Sequence, residues 1–429
     1  MKKKIEPTIV RGTRDFLPQQ MMRRNKVMGI IRDTFEQFGY APLETPILSP
    51  AETILGKYGE EGDQLTYSFT DRGGRKLALP YDLTVPFARY VAANYRELPM
   101  PFKRYQIQRV WRAERPQKGR LREFYQCDID IIGSKELLCE AEVAKVITTV
   151  FARLEIGNIT IKFNSRRLLN AILSACGVAE DKLLPAIRII DKLDKIGEVA
   201  VTRELQELGV QNAEKVIAAL KPEENNTKTL QKLAVYDTTE IEAFLKLCKQ
   251  LAVPEESLQL DPTLARGLDY YTGLTFEVVS ADYDFGTICA GGRYDNLCGM
   301  FSDQDFSGMG VAFGFERIML LLEQLDRLQN VSTSSRALVT IFNDDMRVNS
   351  LVIYNTLITS GIPAEIYLGG DKLGKQLKFA DKKQIPLVII QGPGELVKDE
   401  VTVRSMETGE QSTMPSDQLA SYIKSSTHI

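Results

Sequence analysis

The sequence has a single histidine, His428, at the end of its 429 residues. A Ser-His-Asp triad, a histidine-ligated metal ion and a histidine general base all need this residue type where the chemistry occurs. One histidine in that position nearly excludes these three kinds of site. Any catalysis must therefore depend on positioning, charge and carboxylates.

Paired cysteines and long apolar runs are also missing. The six cysteines are scattered and form no C-x-x-C pair, which argues against a disulfide framework or a zinc ribbon. No segment has the unbroken apolar run of a membrane span, and no apolar region follows the charged start Met-Lys-Lys-Lys-Ile-Glu-Pro. We therefore expect a cytoplasmic protein with reduced thiols and no membrane association.

An excess of basic residues is absent as well. Lys and Arg number 54 and Asp and Glu 57, a formal net charge of −3. Since no global positive field points to nucleic acid, a site for a polyanion must be local. The hydrophobic share of 44% and the charged share of 26% are ordinary for a globular protein, and the length suffices for two or three domains.

In the first part of the chain the residue pattern predicts helices and short strands. Apolar residues at helical spacing over 17–40 stop at Gly39, which predicts a long amphipathic helix. Pro42, Pro46 and Pro50 then favour extended edge segments near an interface. The other predicted elements are short strands within 64–84, a helix over 135–156 and a strand at 159–163.

The later part of the chain changes character twice. Residues 165–258 are rich in Leu, Ala, Lys and Glu at helical spacing, for example over 181–206 and 239–252, and predict a helical insertion. The composition of 329–335 is typical of a linker. Beyond it, alternating elements predict a small α/β domain, with strands at 337–342, 364–368 and 387–390 and helices at 344–360 and 371–383.

The stretch 264–277 puts polar groups into an apolar, aromatic run. Its residue types, and the alternation after Gly273, predict a strand with one buried face. Arg266 in this stretch needs an anion, because a buried guanidinium without one is costly. On the local sequence, an ion pair with Asp269 or a distant glutamate satisfies that need as well as an anionic ligand does.

Residues 109–130 predict two strands around a basic Pro-Gln-Lys-Gly loop. Guanidinium groups form bidentate, charge-assisted hydrogen bonds with phosphate oxygens, so the cluster suits a polyphosphate. Phe124 offers a face for stacking a nucleobase. A solvated hairpin whose charges keep the protein soluble is the alternative. The basic residues are Arg112, Arg115, Lys118, Arg120 and Arg122.

Two further segments add candidate ligand contacts. Residues 79–89 place Asp82 and Thr84 on one side of an extended stretch, where they suit a ligand amine, although capping a helix is a common use of both residue types. The glycine pair within 290–295 suits a close approach of backbone to a flat ligand, or a bulge or turn.

The segment 310–321 combines small residues with an apolar helix. Because a helix that is apolar on most sides is buried, Arg317 near its start needs a partner. That partner is either a ligand or a core aspartate.

Together these segments resemble class II aminoacyl-tRNA synthetases, and the match to the histidyl-tRNA synthetase family is close over nearly the whole chain. The class motifs follow in the family's order, a proline-ended motif at 39–50, Trp-Arg-Ala-Glu…Arg-Glu-Phe at 111–124 and Gly-Phe-Glu-Arg at 314–317. The sequences that resemble histidyl-specific motifs are Arg-Gly-Leu-Asp-Tyr-Tyr at 266–271, Ala-Gly-Gly-Arg-Tyr-Asp at 290–295, Asp82-Leu83-Thr84 and Gln126…Asp130.

The resemblance implies an α+β fold, with a class II antiparallel sheet, flanking helices, a helical insertion and a C-terminal α/β domain like those that bind anticodons. The implied boundaries are 1–164 and 259–328 for the two parts of the catalytic domain, 165–258 for the insertion, 329–335 for the linker and 336–429 for the C-terminal domain. A homodimer with the first motif at the subunit contact is also implied.

The implied activity is that of a histidine–tRNA ligase. Histidine would react with ATP, used with Mg²⁺, to give histidyl-adenylate and pyrophosphate, and histidine would then pass to the 3′ end of histidine tRNA. No tightly bound, protein-ligated metal is expected. Displacement at phosphorus needs positioning and neutralised oxygens more than a proton-transferring base, which suits a chain almost free of histidine.

The resemblance also implies a role for each site residue. Arg112 and Arg266 would be catalytic and would hold the α-phosphate and carboxylate oxygens. The implied ATP-binding residues are Arg112, Glu114, Arg120, Phe124 and Arg317. The implied histidine-binding residues are Asp82 and Thr84 at the α-amine, Gln126, Asp130 and Tyr271 around the imidazole, Tyr270 and Tyr294 in support, and Arg112 and Arg266 at the carboxylate.

One departure and two alternatives stand beside this interpretation. Asp82 and Asp130 occupy positions where many bacterial relatives carry glutamate, which resembles the eukaryotic-type branch. The alternatives are a non-catalytic paralogue, such as a synthetase-like regulatory subunit or a histidine or tRNA sensor, and a class II synthetase for another amino acid. Retained arginines oppose the first alternative, and the 266–271 motif opposes the second.

Overall fold

A computed structural model describes residues 5–265, 270–282, 286–328 and 333–426, with only the backbone for residues 59–61. The chain divides into two compact units. One comprises Met1–Arg14 and Val27–Arg327, and the other comprises Asp15–Lys26 and Leu328–Ile429. Within the described ranges, no helix is both long and apolar enough to cross a membrane.

Helices and short strands alternate up to Arg327. The helices are α1 (Pro18–Gln37), α2 (Ala51–Ile54), α3 (Gly59–Gln64), α4 (Thr84–Asn94), α5 (Leu138–Arg153), α6 (Arg166–Ala175), α7 (Leu183–Ile190), α8 (Leu193–Glu207), α9 (Ala213–Leu220), α10 (Asn226–Leu233), α11 (Thr239–Gln250) and α12 (Phe315–Gln324). The strands are β1 (Ala41–Pro42), β2 (Ser49–Pro50), β3 (Ser68–Thr70), β4 (Lys76–Ala78), β5 (Phe102–Trp111), β6 (Glu123–Ile132), β7 (Ile159–Ser165), β8 (Leu258–Leu260), β9 (Leu274–Ser280), β10 (Cys289–Tyr294) and β11 (Gly308–Gly314).

The described residues of this unit form an eight-stranded sheet in the order β1-β5-β6-β11-β10-β9-β7-β8. The central pairs are antiparallel, and the outermost pairs, β1 with β5 and β7 with β8, are parallel. A small sheet, β2-β4-β3, lies apart from it. The fold class expected from the sequence is confirmed.

The central strands have one apolar face and one polar face. On β6, Cys127, Ile129 and Ile131 are buried on one face, while Gln126, Asp128 and Asp130 alternate with them on the other, since successive side chains of a strand point to opposite sides. The helices cover the apolar face. Phe313 of β11 packs there against Phe35 of α1 and Phe151 of α5, with ring centroids 5.5 Å and 5.8 Å apart.

Six helices, α6–α11, lie between β7 and β8 in the described chain. The helix predicted over 181–206 is wrong as a single element, because a turn at Asp191 separates α7 from α8. Gly197 further interrupts α8 with a φ of 78°, a conformation that L residues rarely adopt. Phe244 of α11 packs on Phe163 and Phe276, so the end of this helical region contributes to the sheet's core.

Other predicted elements agree with the structure, with two exceptions. The long helix before Gly39, the edge strands at the prolines and the hairpin of 109–130 are confirmed. The extended stretch predicted over 79–89 is wrong from Thr84 onward, where α4 begins. The strand predicted over 264–277 begins only at Leu274, and residues 266–269 lie outside the described residues.

The C-terminal unit is an α/β layer with its own sheet. Its strands are β12 (Ala337–Val339), β13 (Ala364–Ile366), β14 (Leu387–Ile390), β15 (Glu400–Ser405) and β16 (Gln411–Pro415), and its helices are α13 (Arg347–Thr359), α14 (Leu373–Lys383), α15 (Pro393–Val397) and α16 (Leu419–Ser425). The strand order is β13-β12-β14-β15-β16, parallel among the first three strands and antiparallel beyond them. The alternating elements predicted from the sequence are confirmed.

A buried ion pair links the sheet to α5. Arg293 of β10 donates from Nε and Nη2 to the Glu140 carboxylate at 2.7 and 2.6 Å. Its Nη1 also donates to the Ser134 carbonyl oxygen and to Ser307 Oγ. This arginine of the Ala-Gly-Gly-Arg-Tyr-Asp motif therefore fixes the helix layer on the sheet.

Glu140→Ala should destabilise the protein by about 3–5 kcal/mol, because it leaves the Arg293 guanidinium buried without its anion. Calorimetric unfolding measures this. The matched control is Glu198→Ala, which removes the exposed Glu198–Lys221 pair and should cost about 1 kcal/mol or less. Equal losses of unfolding free energy in the two variants would contradict the stabilising role assigned to the Glu140–Arg293 ion pair.

Candidate active site

The polar face of the sheet opens into a cavity of about 1030 Å³. Apart from Arg266, which lies outside the described residues, every site residue predicted from the sequence lines this cavity. They are Asp82, Thr84, Arg112, Glu114, Arg120, Phe124, Gln126, Asp130, Tyr270, Tyr271, Tyr294 and Arg317. Residues far apart in the sequence thus meet on one surface.

Small residues form the floor of the cavity. The cross-strand row Asp128–Ala312–Ala290–Glu277 places two alanines between two carboxyl groups. These residues span three strand spacings, or about 14 Å. The floor therefore leaves room for a ligand to lie flat on the sheet.

Glycines on β11 make room for polar side chains that rise from neighbouring strands. A Cβ atom at Gly310 would collide with the Asp130 carboxylate, and one at Gly308 would collide with the Tyr294 ring. The glycine pair of β10 has a similar packing role. Gly291 abuts the Gly310 backbone, and Gly292 abuts the Tyr271 ring.

Asp82 caps the first turn of α4 at one side of the cavity. Its Oδ1 accepts hydrogen bonds from the amides of Thr84 and Val85, both at 3.1 Å, and from Tyr58 Oη at 2.9 Å. The helix-capping alternative is therefore correct for Asp82, which nevertheless also faces the cavity. Burial is the main cause that raises the pKa of Asp82 above its ordinary value.

Asp130 is held from two sides. Arg104, which is fully buried, forms an ion pair with Oδ2 at 2.6 Å, and Tyr294 Oη donates to Oδ1 at 2.7 Å. The Arg104 guanidinium also stacks over the Phe87 ring at 4.4 Å. Burial outweighs these partners and raises the pKa of Asp130 to about 6.

Three tyrosines form the wall beside Asp130. The Tyr270 ring centroid lies 4.8 Å from that of Tyr271 and 6.3 Å from that of Tyr294. Burial raises the pKa of Tyr270 and of Tyr294 well above the ordinary value. Both hydroxyls therefore keep their protons at neutral pH and act as donors.

Arg112 lies at the centre of the cavity wall. Its guanidinium stacks over the Tyr81 and Phe124 rings, at 4.3 and 5.2 Å from their centroids. Nε donates to the Tyr81 carbonyl oxygen at 3.0 Å, and Nη2 donates to Gln126 Oε1 at 3.4 Å. These contacts fix the plane of the guanidinium, which suits bidentate binding of an oxyanion.

The charged loop between β5 and β6 divides into two groups. Glu114 forms an ion pair with Arg120 at 2.6 Å, and both line the cavity with the exposed Arg115. Arg122 instead donates to the Glu114 and Arg11 carbonyl oxygens, and Lys118 is likewise not part of the lining. The predicted polyphosphate cluster is therefore only partly assembled at the cavity.

Arg317 faces the cavity from the first turn of α12. Its Nη1 donates to the Thr287 carbonyl oxygen, and the Thr287 hydroxyl donates to Glu277 at 3.0 Å. A backbone acceptor is thus among the partners of Arg317. Over the described ranges, no group of three or more His, Cys, Asp or Glu side chains is arranged to hold a metal ion.

The helical region between β7 and β8 reaches the mouth of the cavity. Arg188 of α7 and the nearby Asp191, Lys192 and Lys195 line it, and all four are exposed. Lys192 is paired with Glu204 at 2.8 Å. Sequence reasoning did not place any of these residues at the site, because their pattern is that of an ordinary amphipathic helix.

The most informative residue missed at sequence level is Asp128. It lines the cavity and is only 2% exposed. Its signal was present in the sequence, since Gln126, Asp128 and Asp130 share one face of a strand at two-residue spacing. Glu277, Tyr58 and Tyr81 were also missed, and nothing in their local sequence marks them.

Family models match most of the chain. The model described as histidyl-tRNA synthetase matches residues 12–318, and the model described as anticodon binding domain matches residues 337–426. The chain is 41% identical to a histidine–tRNA ligase of Phocaeicola vulgatus over 455 residues, covering 98% of this chain and 99% of that protein.

Two further comparisons agree. A histidine–tRNA ligase of Clostridium tetani is 39% identical over 441 residues, covering 99% of this chain and all of that protein. The crystal structure of histidyl-tRNA synthetase from Nostoc sp. PCC 7120 superposes with a TM-score of 0.84 at 29% identity, covering 98% of this chain and 100% of that one. With these matches and this cavity, the chain belongs to the histidyl-tRNA synthetase family.

Proposed function

We propose that the chain activates L-histidine with ATP in the cavity described above and then transfers histidine to the 3′ end of histidine tRNA. The observation that carries this proposal is the shared cavity. It places a pocket of buried carboxyl groups and tyrosines next to Arg112, with further arginines and an aromatic face beyond. Such a cavity suits an amino acid bound next to a nucleotide.

In the first step, an oxygen of the histidine carboxylate attacks the α-phosphorus of ATP. A carboxylate–phosphorus bond forms, the bond from the α-phosphorus to its bridging oxygen breaks, and pyrophosphate leaves with the electron pair. No proton needs to move. In the second step, a terminal ribose hydroxyl of the tRNA attacks the activated carbonyl carbon and an ester bond forms. The bond from that carbon to the phosphate oxygen breaks, AMP leaves with the electron pair, and the proton of the hydroxyl passes to the phosphate oxygen or to water.

Arg112 would stabilise the negative charge that gathers between the two reactants. Its guanidinium is already oriented by Tyr81, Phe124 and Gln126, so little reorganisation is needed when charge develops. Arg266, which is proposed from its sequence motif alone, would bind the same oxygens.

The nucleotide would occupy the part of the cavity lined by Glu114, Arg120, Phe124 and Arg317. Phe124 offers a ring face for adenine, and the arginines suit the outer phosphates. Mg²⁺ prefers carboxylate and phosphate oxygens, and Glu277, which accepts a hydrogen bond from the Thr287 hydroxyl, is one of the carboxylates that line the cavity. When bound, the ion would neutralise phosphate charge.

Histidine would bind over β6 and the start of α4. Asp82 and Thr84 would contact the α-amine, and Gln126, Asp130 and Tyr271 would surround the imidazole, with Tyr270 and Tyr294 in support. A neutral imidazole has one donor and one acceptor. Buried polar groups that match it reject other side chains more strongly than an apolar pocket does, because a mismatch leaves those groups unpaired.

Transfer RNA would contact two other regions. The insertion, proposed as residues 165–258, presents Arg188 and Lys195 at the mouth of the cavity, where the 3′ end must enter. The C-terminal domain, proposed as residues 336–429 after a linker at 329–335, would bind the anticodon. The catalytic domain would then comprise 1–164 and 259–328, in a homodimer located in the cytoplasm.

Arg112→Ala should lower histidine-dependent exchange of pyrophosphate into ATP about 100- to 1000-fold, because an oriented charge at the reacting oxygens is lost. The matched control is Arg109→Ala on the same hairpin, where Arg109 pairs with Glu123 outside the cavity. It should retain exchange. Arg266→Ala should lower exchange as Arg112→Ala does, with the fold intact. Full exchange activity in one of these two variants would overturn the catalytic role proposed for the arginine that it replaces.

Phe124→Leu should raise the KM for ATP about 10-fold through lost stacking of the base, with the KM for histidine little changed. Steady-state exchange kinetics measure both constants. Tyr125→Leu is the control, since Tyr125 packs against Phe315 on the opposite face of β6. A parallel rise in the two constants for Phe124→Leu would indicate a general loss of structure instead.

Lys195→Ala should raise the KM for tRNA in aminoacylation, because one phosphate contact is lost. For the same reason, the slope of the logarithm of the tRNA binding constant against the logarithm of the salt concentration should become shallower by about one. Exchange without tRNA should not change. Lys246→Ala on α11, exposed and remote from the cavity lining, is the control. Histidine binding without any tRNA charging by the unaltered protein would instead favour a regulatory paralogue.

A further inference from the structure

A turn at residues 10–13, which we call the N-terminal turn, lies against the loop that joins β5 to β6 at residues 112–122. Thr13 closes the turn, because its amide and its hydroxyl both donate to the Val10 carbonyl oxygen, at 3.0 and 2.7 Å. Gly12 has a φ of 92°, a backbone conformation that glycine adopts without strain. The turn therefore has a defined shape although it lies at the protein surface.

The N-terminal turn binds one residue of the loop, Arg122, through both its backbone and its side chain. The Arg122 amide donates to the Gly12 carbonyl oxygen at 2.8 Å, and Nη1 donates to the Arg11 carbonyl oxygen at 3.3 Å. Hydrogen bonds from a charged donor are stronger than those between neutral groups. Two neighbouring carbonyl oxygens of the turn therefore hold Arg122 in place.

Arg122 connects the turn to the proposed nucleotide site. Its Nε donates to the Glu114 carbonyl oxygen at 3.0 Å, and the Glu114 carboxylate forms an ion pair with Arg120 Nε at 2.6 Å. The Arg122 carbonyl oxygen also accepts a hydrogen bond from the Arg112 amide at 3.0 Å. Among the described residues, Glu114 and Arg120 line the cavity and Arg122 does not. The positions of Glu114 and Arg120 thus depend on where Arg122 is held.

Close packing fixes the turn between the two arms of the loop. A Cβ atom at Gly12 would lie 2.7 Å from Pro116 Cγ on one arm and 2.9 Å from Arg122 Cγ on the other. Both distances are shorter than van der Waals contact, so a larger residue would push the arms away from the turn. Gly12 is therefore needed for its small size as well as for its positive φ.

These contacts also explain why Arg122 differs from other arginines of the same loop. The sequence places it in a basic cluster that suits a polyphosphate, but its Nε and Nη1 donate to backbone carbonyl oxygens. Arg115, by contrast, is exposed and lines the cavity. The donors of Arg122 thus serve the conformation of the loop.

We propose that the N-terminal turn supports the loop that contacts ATP, with Gly12 and Arg122 as its positioning residues. Together they hold Glu114 and Arg120 where these two residues contact the nucleotide. This inference rests on the proposed function and adds two residues to its nucleotide site, neither of which touches the substrate.

This support should act on ATP more than on histidine. The Arg112 guanidinium, proposed to face both substrates, is fixed by the Tyr81 carbonyl oxygen and by Gln126. Asp82, proposed to contact the α-amine, is held by the first turn of α4. A displaced loop should therefore weaken ATP binding, because the nucleotide must then order the loop, and should change histidine binding little.

Gly12→Ala should raise the KM for ATP about 10-fold in histidine-dependent pyrophosphate exchange by the full-length protein, because ATP must re-order the displaced loop. The KM for histidine should change little. The matched control is Gly74→Ala. Gly74 also has a positive φ, of 80°, but a Cβ atom there would meet no heavy atom of the described residues within 4 Å. The control introduces similar backbone strain without the collision and should keep both constants.

Arg122→Met should also raise the KM for ATP, since it keeps the apolar stem but removes the donors to the Glu114 and Arg11 carbonyl oxygens. Arg122→Lys should recover part of the loss, because its ammonium group can donate to one of these two oxygens. Gly12→Ala combined with Arg122→Met should raise the KM for ATP no further than the stronger single variant, because both act through one contact. Independent structural damage would instead make the two effects multiply.

Calorimetric titration with ATP in the absence of histidine gives a second readout, which needs no catalysis. Gly12→Ala and Arg122→Met should each bind ATP about 10-fold more weakly than the unaltered protein. Their Tm values should lie close to that of Gly74→Ala.

The possible outcomes are distinct. Unchanged ATP affinity in either variant, an equal rise in the KM for histidine, or effects that multiply in the double variant would overturn the inference and leave the proposed function intact. If Gly12→Ala does not fold, Arg122→Met and Arg122→Lys decide. Absence of histidine-dependent exchange by the unaltered protein would refute the proposed function, and the ATP titration would still decide whether the turn supports the loop.

Discussion

The structure depends on a buried ion pair between Arg104 and Asp130, which supplies the counter-charge for a carboxylate on the polar face of the sheet. Asp130 is 2% exposed, and the fully buried Arg104 on the neighbouring strand supplies its counter-charge at 2.6 Å. Removing either partner would leave a charge in a medium that solvates it poorly. Because Asp130 has its counter-charge inside the protein, other polar groups of the same face can be reserved for a ligand.

The two faces of the sheet differ in what they carry. Strand β11 carries glycine at positions 308 and 310, because Tyr294 and Asp130 occupy the space that a Cβ atom at Gly308 or Gly310 would need. The opposite face of the sheet is covered by α1 and α5 through aromatic contacts such as Phe35 with Phe313. One side of the sheet thus provides stability, and the other side provides the site.

Local patterns predicted most elements because they depend on spacing within a short segment, as in the helix before Gly39 and the hairpin of 109–130. The resemblance to a family also named twelve of the residues that line the cavity. The sequence did not identify Arg104 as a site residue, because its role comes from an ion pair with Asp130 on the neighbouring strand. Asp128 was overlooked although it lies on the same face of β6 as Gln126 and Asp130. The family motif includes Gln126 and Asp130 but not the residue between them on that face.

The most direct test of the account is ATP–pyrophosphate exchange by the purified full-length protein with each of the twenty amino acids in turn. A floor of small residues bordered by buried carboxyl groups and tyrosine hydroxyls matches a ring with one donor and one acceptor. The account predicts exchange with histidine and background rates with the other nineteen. Comparable exchange with another amino acid, or none with histidine, would contradict it.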